Sequence, residues 1–246
     1  MTDKTLEVYK EISKAIQSPF NVILEGESGV GKEHIARLIH QGRNRGGEFV
    51  VCDCERTARE QTGIVKQLTS PVFLEKLQRS TQRDTFFIRR IDLLREHLLA
   101  QLSDFFGELG KRGELHRNKL LSFGLIGSLQ TSAEKKSLNS IELHKFLDSL
   151  FCLRIKILPL RERKREIPKL AETFISFFNR EQKRSVFGVA ADALDFLIKY
   201  DWPNNMCELR MEIERAATLT GDYQSIKPSA LSEDLIESVS RKHSLR

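Results

Sequence analysis

Apolar residues recur along the chain in two rhythms. Short unbroken runs, at Val22-Ile23-Leu24, at residues 49–54, at Thr85-Phe86-Phe87-Ile88, at 121–129 and at 151–158, have the length of strands buried on both faces. Between them the spacing is helical. Leu6, Tyr9, Ile12 and Ile16 share one face before Ser18-Pro19, and Ile35, Leu38 and Ile39 share another. Leu94, Leu98, Leu102, Phe105 and Phe106 line a longer helix that closes near 107–113. Residues 55–83 are polar and predict two short helical pieces split around Ser70-Pro71. Alternation of this kind predicts an α/β fold, a parallel sheet flanked by helices.

Beyond Arg163 the rhythm is helical only. Ile167, Leu170, Ala171, Phe174 and Phe178 form one stripe, and Leu194, Leu197 and Ile198 another. Asp201-Trp202-Pro203-Asn204-Asn205 reads as a turn with a helix cap, leading into Met206, Leu209, Ile213 and Ala217. A last short helix is predicted around Leu235. The expected organisation is an α/β core over 1–163 and an all-helical domain over 164–246.

Composition narrows the class. The 246 residues are 40% hydrophobic, enough for a real core, and carry a formal net charge of +6. No apolar stretch is long enough to cross a bilayer, and no signal-like apolar block opens the chain, so a cytoplasmic protein with no membrane partner is expected. The cysteines Cys52, Cys54, Cys152 and Cys207 form no C-x-x-C pair. Cys52 and Cys54 share one strand face, where buried thiols are commoner than metal ligands. Basic residues gather at 43–45, 135–136, 161–165 and 241–242. Solvated faces are the plain reading of these clusters, and nucleic-acid contact is the alternative.

One stretch carries specific chemistry. Gly26, Glu27, Ser28, Gly29, Val30, Gly31, Lys32 and Glu33 fit G-x-x-x-x-G-K, with a predicted strand before and a helix after. Glycines let backbone N–H groups turn inward around phosphate oxygens, and the helix start adds unpaired N–H groups and a positive dipole end. Lys32 supplies charge for the terminal phosphates. ATP or ADP is the expected ligand.

Three stretches, in this order, resemble the sigma-54 activator ATPases, the bacterial enhancer-binding proteins of the AAA+ class. The first is the glycine-rich loop, with Glu33 after Lys32. The second is Leu158-Pro159-Leu160-Arg161-Glu162-Arg163 followed by Glu166-Ile167-Pro168, similar to the family's signature at the start of its helical lid. The third is Asp201-Trp202-Pro203-Asn204-Asn205, with Glu208-Leu209 and Ile213-Glu214-Arg215-Ala216 beyond it, similar to the Trp-Pro-Gly-Asn segment and lid helix. The resemblance implies a P-loop AAA+ core plus a lid domain, assembly with other AAA+ subunits, and contact with the transcription machinery.

The departures fall on the family's catalytic positions. Arg89 and Arg90 stand where the resemblance places Asp-Glu, the pair that positions Mg²⁺ and polarises water. Guanidiniums do neither, although they could stand in for metal charge beside a terminal phosphate. Asp92 is at the wrong offset for a ligand and reads as a helix cap. Gln130 takes the place of a sensor Asn. The trans arginine fingers align with Leu143 and Ser149, and the lid's sensor Arg aligns with Cys207. The loop that grips sigma-54 has no counterpart between Cys54 and Asp84, and its companion segment at 113–121 is short. The chain also leaves no room for a C-terminal helix-turn-helix, so direct DNA binding is not expected from it.

Three readings follow. The first is an ATP-binding but hydrolysis-deficient regulator, without catalytic residues or a metal site, acting through protein contacts in a homo-oligomer or a mixed ring with an intact paralogue. The others are a working sigma-54 activator ATPase and a scaffold module that has abandoned nucleotide. Restoring Asp at 89 and Glu at 90 is expected to rebuild the acidic pair without disturbing the strand.

Overall fold

The apolar runs become five strands: β1 Asn21–Gly26, β2 Phe49–Asp53, β3 Thr85–Arg89, β4 Gly124–Gln130 and β5 Cys152–Lys156. The computed structural model describes residues 3–18, 20–43, 46–72, 84–111, 124–131, 140–150 and 152–244. The strands pair in the order β2-β3-β4-β1-β5, every pairing parallel. Val22, Ile23, Leu24, Phe87 and Ile88 are all buried without alternation, as a sheet covered on both faces requires. Gly26 lies level with Gln130 and Asp53 level with Arg89. The parallel strands therefore bring the ends of β1, β2, β3 and β4 to one sheet edge, the edge where α/β proteins bind ligands.

The chain divides into two compact units. One comprises residues 7–26 and 32–157; the other comprises 158–246 together with 27–31 and the first six residues. In the sheet unit, helices α2 (Lys32–Gly42), α3 (Ala58–Leu68), α4 (Glu96–Lys111) and α5 (Ile141–Ser149) accompany the strands. Leu98, Leu102 and Phe106 of α4 and Phe146 of α5 pack with Ile23, Ile88 and Leu125 in one core. Helix α1 (Asp3–Gln17) departs from the expected face. Leu6 and Tyr9 are about half exposed, while Ile12 and Ala15 are buried. The Arg43 guanidinium donates to the Ala15 carbonyl at 2.7 and 3.0 Å, satisfying an acceptor in the last turn of α1. The predicted helical piece beyond Ser70-Pro71, the basic pairs at 44–45 and 135–136, and the companion segment at 113–121 lie almost wholly outside the described residues.

The second unit is built from α6 (Ile167–Gln182), α7 (Ala191–Lys199), α8 (Asn205–Leu219) and α9 (Glu233–Ser244). A two-stranded parallel ribbon, β6 (Gly188–Val189) with β7 (Ser225–Ile226), joins them and was not evident in the sequence. Trp202 sits fully buried at the centre of this core, among Ile167, Leu197, Leu209 and Ile213. Its indole N–H donates to the Leu197 carbonyl at 2.8 Å, which satisfies the one polar atom the ring would otherwise strand.

The turn that follows is not capped as expected. The Asn204 side chain makes no capping bond; the Glu208 carboxylate instead accepts from the Asn204 N–H at 2.8 Å. Asn205 does more. It is fully buried, with φ +54°, a left-handed conformation that Asn tolerates better than most residues. Its Oδ1 accepts from the Leu160 N–H at 2.7 Å, and its Nδ2 donates to the Ser28 carbonyl at 2.8 Å and to Glu27 at 3.2 Å.

Asn205→Ala strands the Leu160 N–H and forces alanine into the left-handed region. We expect a loss of about 2–4 kcal/mol, combining an unsatisfied buried donor with that backbone cost. Asn205→Gly keeps the backbone geometry and should cost about 1 kcal/mol less. Trp202 is the chain's single tryptophan, so its fluorescence during denaturant unfolding reports on this unit. Midpoints unchanged from the parent in both variants would refute the assignment.

Candidate functional site

The glycine-rich loop begins where β1 ends. Gly29 and Gly31 have φ of +73° and +95°, values open to glycine at little cost. A Cβ on Gly29 would also lie 2.1 Å from the Asn204 carbonyl oxygen, so space and backbone both demand glycine there. The middle of the loop, residues 27–31, is fastened within the helical unit. Arg161 forks onto the Glu27 carboxylate at 2.5 and 2.8 Å, and Arg163 donates to the Val30 carbonyl at 3.0 Å. The Met206 N–H donates to the Gly29 carbonyl at 3.0 Å. The 161–165 cluster is therefore not a free solvated face. Arg161, Arg163 and Lys164 are paired with Glu27, Glu166 and Asp201.

Lys32 and Glu33 open α2 in the sheet unit. Lys32 Nζ donates to the Gly26 carbonyl at 2.7 Å. Glu33 occupies the first turn of α2, where a carboxylate favours the helix dipole. Its pKa is pushed up by burial, but hydrogen bonds from Arg89 and Arg37 outweigh that and hold it below the usual carboxylate range.

Arg89 and Arg90 are both engaged with carboxylates. Arg89 closes β3 and pairs with Glu33 on one arm and with Asp53, its register partner in β2, at 3.3 Å on the other. Arg90 takes a left-handed conformation, φ +56°, and its backbone N–H donates to Ser128 Oγ at 3.0 Å. That geometry turns its guanidinium onto Asp92, with a shortest contact of 2.9 Å, and onto Glu55 at 2.8 Å. Asp92 is not the helix cap expected of it. It sits in the 3₁₀ turn Ile91–Leu93, its side chain only 1% exposed, and also accepts from the Gln130 N–H at 3.1 Å. Asp53 and Glu55 were missed in the sequence, where neither carries a motif; only strand pairing brings them to the arginines.

The remaining expected positions carry no cation toward this edge. Leu143 is buried in the sheet unit's core, and Ser149 donates to the Phe146 carbonyl at 2.7 Å. Cys207 is exposed on the first turn of α8. Near it, in the helical unit, a cavity of about 700 Å³ is lined by Ser28, Trp202, Met211, Glu208 and Asp234. Burial pushes the thiols of Cys52 and Cys54 up to about 11 and about 12, so both are protonated and behave as core residues. Among the described residues, no group of His, Cys, Asp or Glu is arranged to hold a metal, and no helix is long and apolar enough to cross a membrane.

The Sigma-54 interaction domain family matches residues 1–67 and the AAA+ ATPase lid domain family matches 161–246. The phenol regulator MopR of Acinetobacter guillouiae is 31% identical over 236 residues, covering 89% of this chain and 41% of MopR. The regulatory protein AtoC of Escherichia coli K12 is 28% identical over 253 residues, covering 94% of this chain and 51% of AtoC. The chain thus spans about two-fifths to half of the curated relatives it matches. NtrX of Brucella abortus, crystallised in complex with ADP, superposes with a TM-score of 0.72 at 18% identity, over 96% of this chain and 55% of NtrX. At that identity the likeness shows the fold. Sheet order, helical domain and sequence matches agree: the chain has the AAA+ fold and is similar to sigma-54-dependent regulators, matching the Sigma-54 interaction domain over 1–67 and the AAA+ ATPase lid domain over 161–246.

Proposed function

We propose that the chain binds ATP or ADP on residues 26–33, does not hydrolyse it, and acts in transcription regulation through protein contacts. One observation carries this reading. The sheet-edge positions that the family fills with Asp-Glu hold Arg89 and Arg90, each bound to carboxylates of this chain. Neither guanidinium can hold Mg²⁺ or take a proton from water. The left-handed glycines, the start of α2 at Lys32 and the lysine itself support nucleotide binding. NtrX, the neighbour of the same fold, has been crystallised with ADP and with ATP, which favours the same ligand class here. The partners are other AAA+ subunits, as a homo-oligomer or a mixed ring with an intact paralogue, and the compartment is the cytoplasm.

Calorimetry with ATP is the direct test. Binding should vanish in Lys32→Ala and change little when EDTA replaces Mg²⁺. A strict Mg²⁺ requirement would mean that another acid coordinates metal, and it would remove the ground for calling the site silent.

The chain alone should not drive open-complex formation at a sigma-54 promoter, because the loop by which the family grips sigma-54 has no counterpart in the sequence between Cys54 and Asp84. A purified-component transcription assay measures this. Robust activation without a paralogue would defeat the reading, whereas co-purification with an intact family member supports the mixed ring.

Repairing the acidic pair is harder than the sequence suggests. Arg90 is the partner of buried Asp92, so Arg90→Glu sets two carboxylates together beside Glu55. Losing the partner of the almost fully buried Asp92 should cost about 2–4 kcal/mol, more than Arg89→Asp, whose neighbours Glu33 and Asp53 are partly exposed and screened by solvent. Thermal unfolding of the two single variants distinguishes these costs. Equal stability would mean that Arg90 is not engaged as described. Even the double variant should turn over ATP negligibly, since Leu143, Ser149 and Cys207 supply no charge to a transferring phosphoryl group.

A further inference from the structure

We propose that Arg89 is a tethered cation that recognises the terminal phosphate of a nucleoside triphosphate, so that the chain selects triphosphate over diphosphate without a divalent metal. This rests on the nucleotide-binding reading and adds a specificity residue to it.

Four observations place Arg89 in that role. Its hydrogen bond to Glu33 sets the guanidinium against the first turn of α2, one residue from Lys32. It projects from the end of β3 at the sheet edge where β1 and β4 also end. Its side chain is 39% exposed, against 19% for Arg90, so a ligand can reach it. Arg90 is committed elsewhere, held by buried Asp92 and by its own left-handed backbone.

Charge balance at this edge favours a phosphate that arrives without its metal. Arg37, Arg89 and Arg90 pair with Glu33, Asp53, Glu55 and Asp92, so each of these four carboxylates already has a cation. The exchange is also undemanding. When Arg89 swings from Glu33 to a phosphate oxygen, Glu33 keeps Arg37, which holds it at 2.8 Å. The second arm, to Asp53, is a long 3.3 Å contact. Partly exposed ion pairs are weak, whereas a guanidinium fork on phosphate is strong and always charged. A diphosphate lacks the group that this fork would take.

The test is calorimetry of the full chain with ATP and with ADP, both in EDTA. A charge-assisted fork should make ATP bind about tenfold or more tighter than ADP. Arg89→Met should bring the two affinities within about twofold, and Arg89→Lys, which keeps charge but loses the fork, should fall between. Asp53→Asn removes a competitor for the guanidinium and should widen the preference for ATP. Equal affinities in the parent chain, or a ratio unmoved in both Arg89 variants, would overturn the proposal while leaving ADP binding intact. If Arg89→Met fails to fold, the Arg89→Lys and Asp53→Asn ratios decide the question. Binding of neither nucleotide would overturn this inference together with the reading beneath it.

Discussion

The carboxamide of Asn205 is the contact on which the helical unit's arrangement turns. Its oxygen satisfies a backbone N–H of the Leu160–Glu162 turn, and its nitrogen holds the Ser28 carbonyl and the Glu27 carboxylate. Three segments that are remote in sequence meet on one buried side chain. The left-handed backbone at both Trp202 and Asn205 bends the chain tightly enough to bury the indole and aim the amide together. Arg161 and Arg163 then fasten the loop from the other side of its sequence, on Glu27 and on the Val30 carbonyl. The middle of a loop that chemistry suits to phosphate is thus part of a helical scaffold, while its two ends, Gly26 and Lys32, belong to the sheet unit.

At the sheet edge the controlling fact is a reversal of charge. Two arginines occupy positions where the family carries acids, and the chain answers with Glu33, Asp53, Glu55 and Asp92. Guanidiniums so placed cannot simply be read as lost function. Left unpaired, either would raise the local positive charge; paired as they are, they hold the ends of β2 and β3 and the start of α2 in place. Arg90 goes furthest, accepting a left-handed backbone in order to reach an aspartate that water barely touches.

Much of this was legible in the sequence, and the rest was hidden for identifiable reasons. Val22-Ile23-Leu24 and Thr85-Phe86-Phe87-Ile88 announce buried strands because a parallel sheet covered on both faces needs unbroken apolar runs. The stripes of α6 and α8 were equally plain. Helix α1 misled because periodicity gives weight to the large Leu6 and Tyr9, whereas the buried side uses Ile12 and the small Ala15. The ribbon of β6 and β7 is two residues wide, too short for any period to register. Ion pairs were the least accessible feature. Arg89 finds Glu33 across 56 positions and Arg161 finds Glu27 across 134, separations that only the folded register brings together.

The loop motif itself has to be weighed with this in mind. Gly29 is required by the Asn204 carbonyl, and Glu27 by Arg161 and Asn205, whether or not a phosphate is ever bound. A scaffold that had abandoned nucleotide would keep both residues for packing alone. Lys32 is different. The Gly26 carbonyl that its ammonium meets already accepts the Thr131 N–H at 3.1 Å, so that backbone oxygen does not need the lysine. Replacing Lys32 by an apolar residue of similar length would leave this carbonyl satisfied. A lysine at the start of α2, directly after a left-handed glycine and beside Glu33 with its arginine, is chemistry suited to a ligand's negative charge. The case for nucleotide therefore rests on Lys32 and Arg89 rather than on the glycines that first draw the eye.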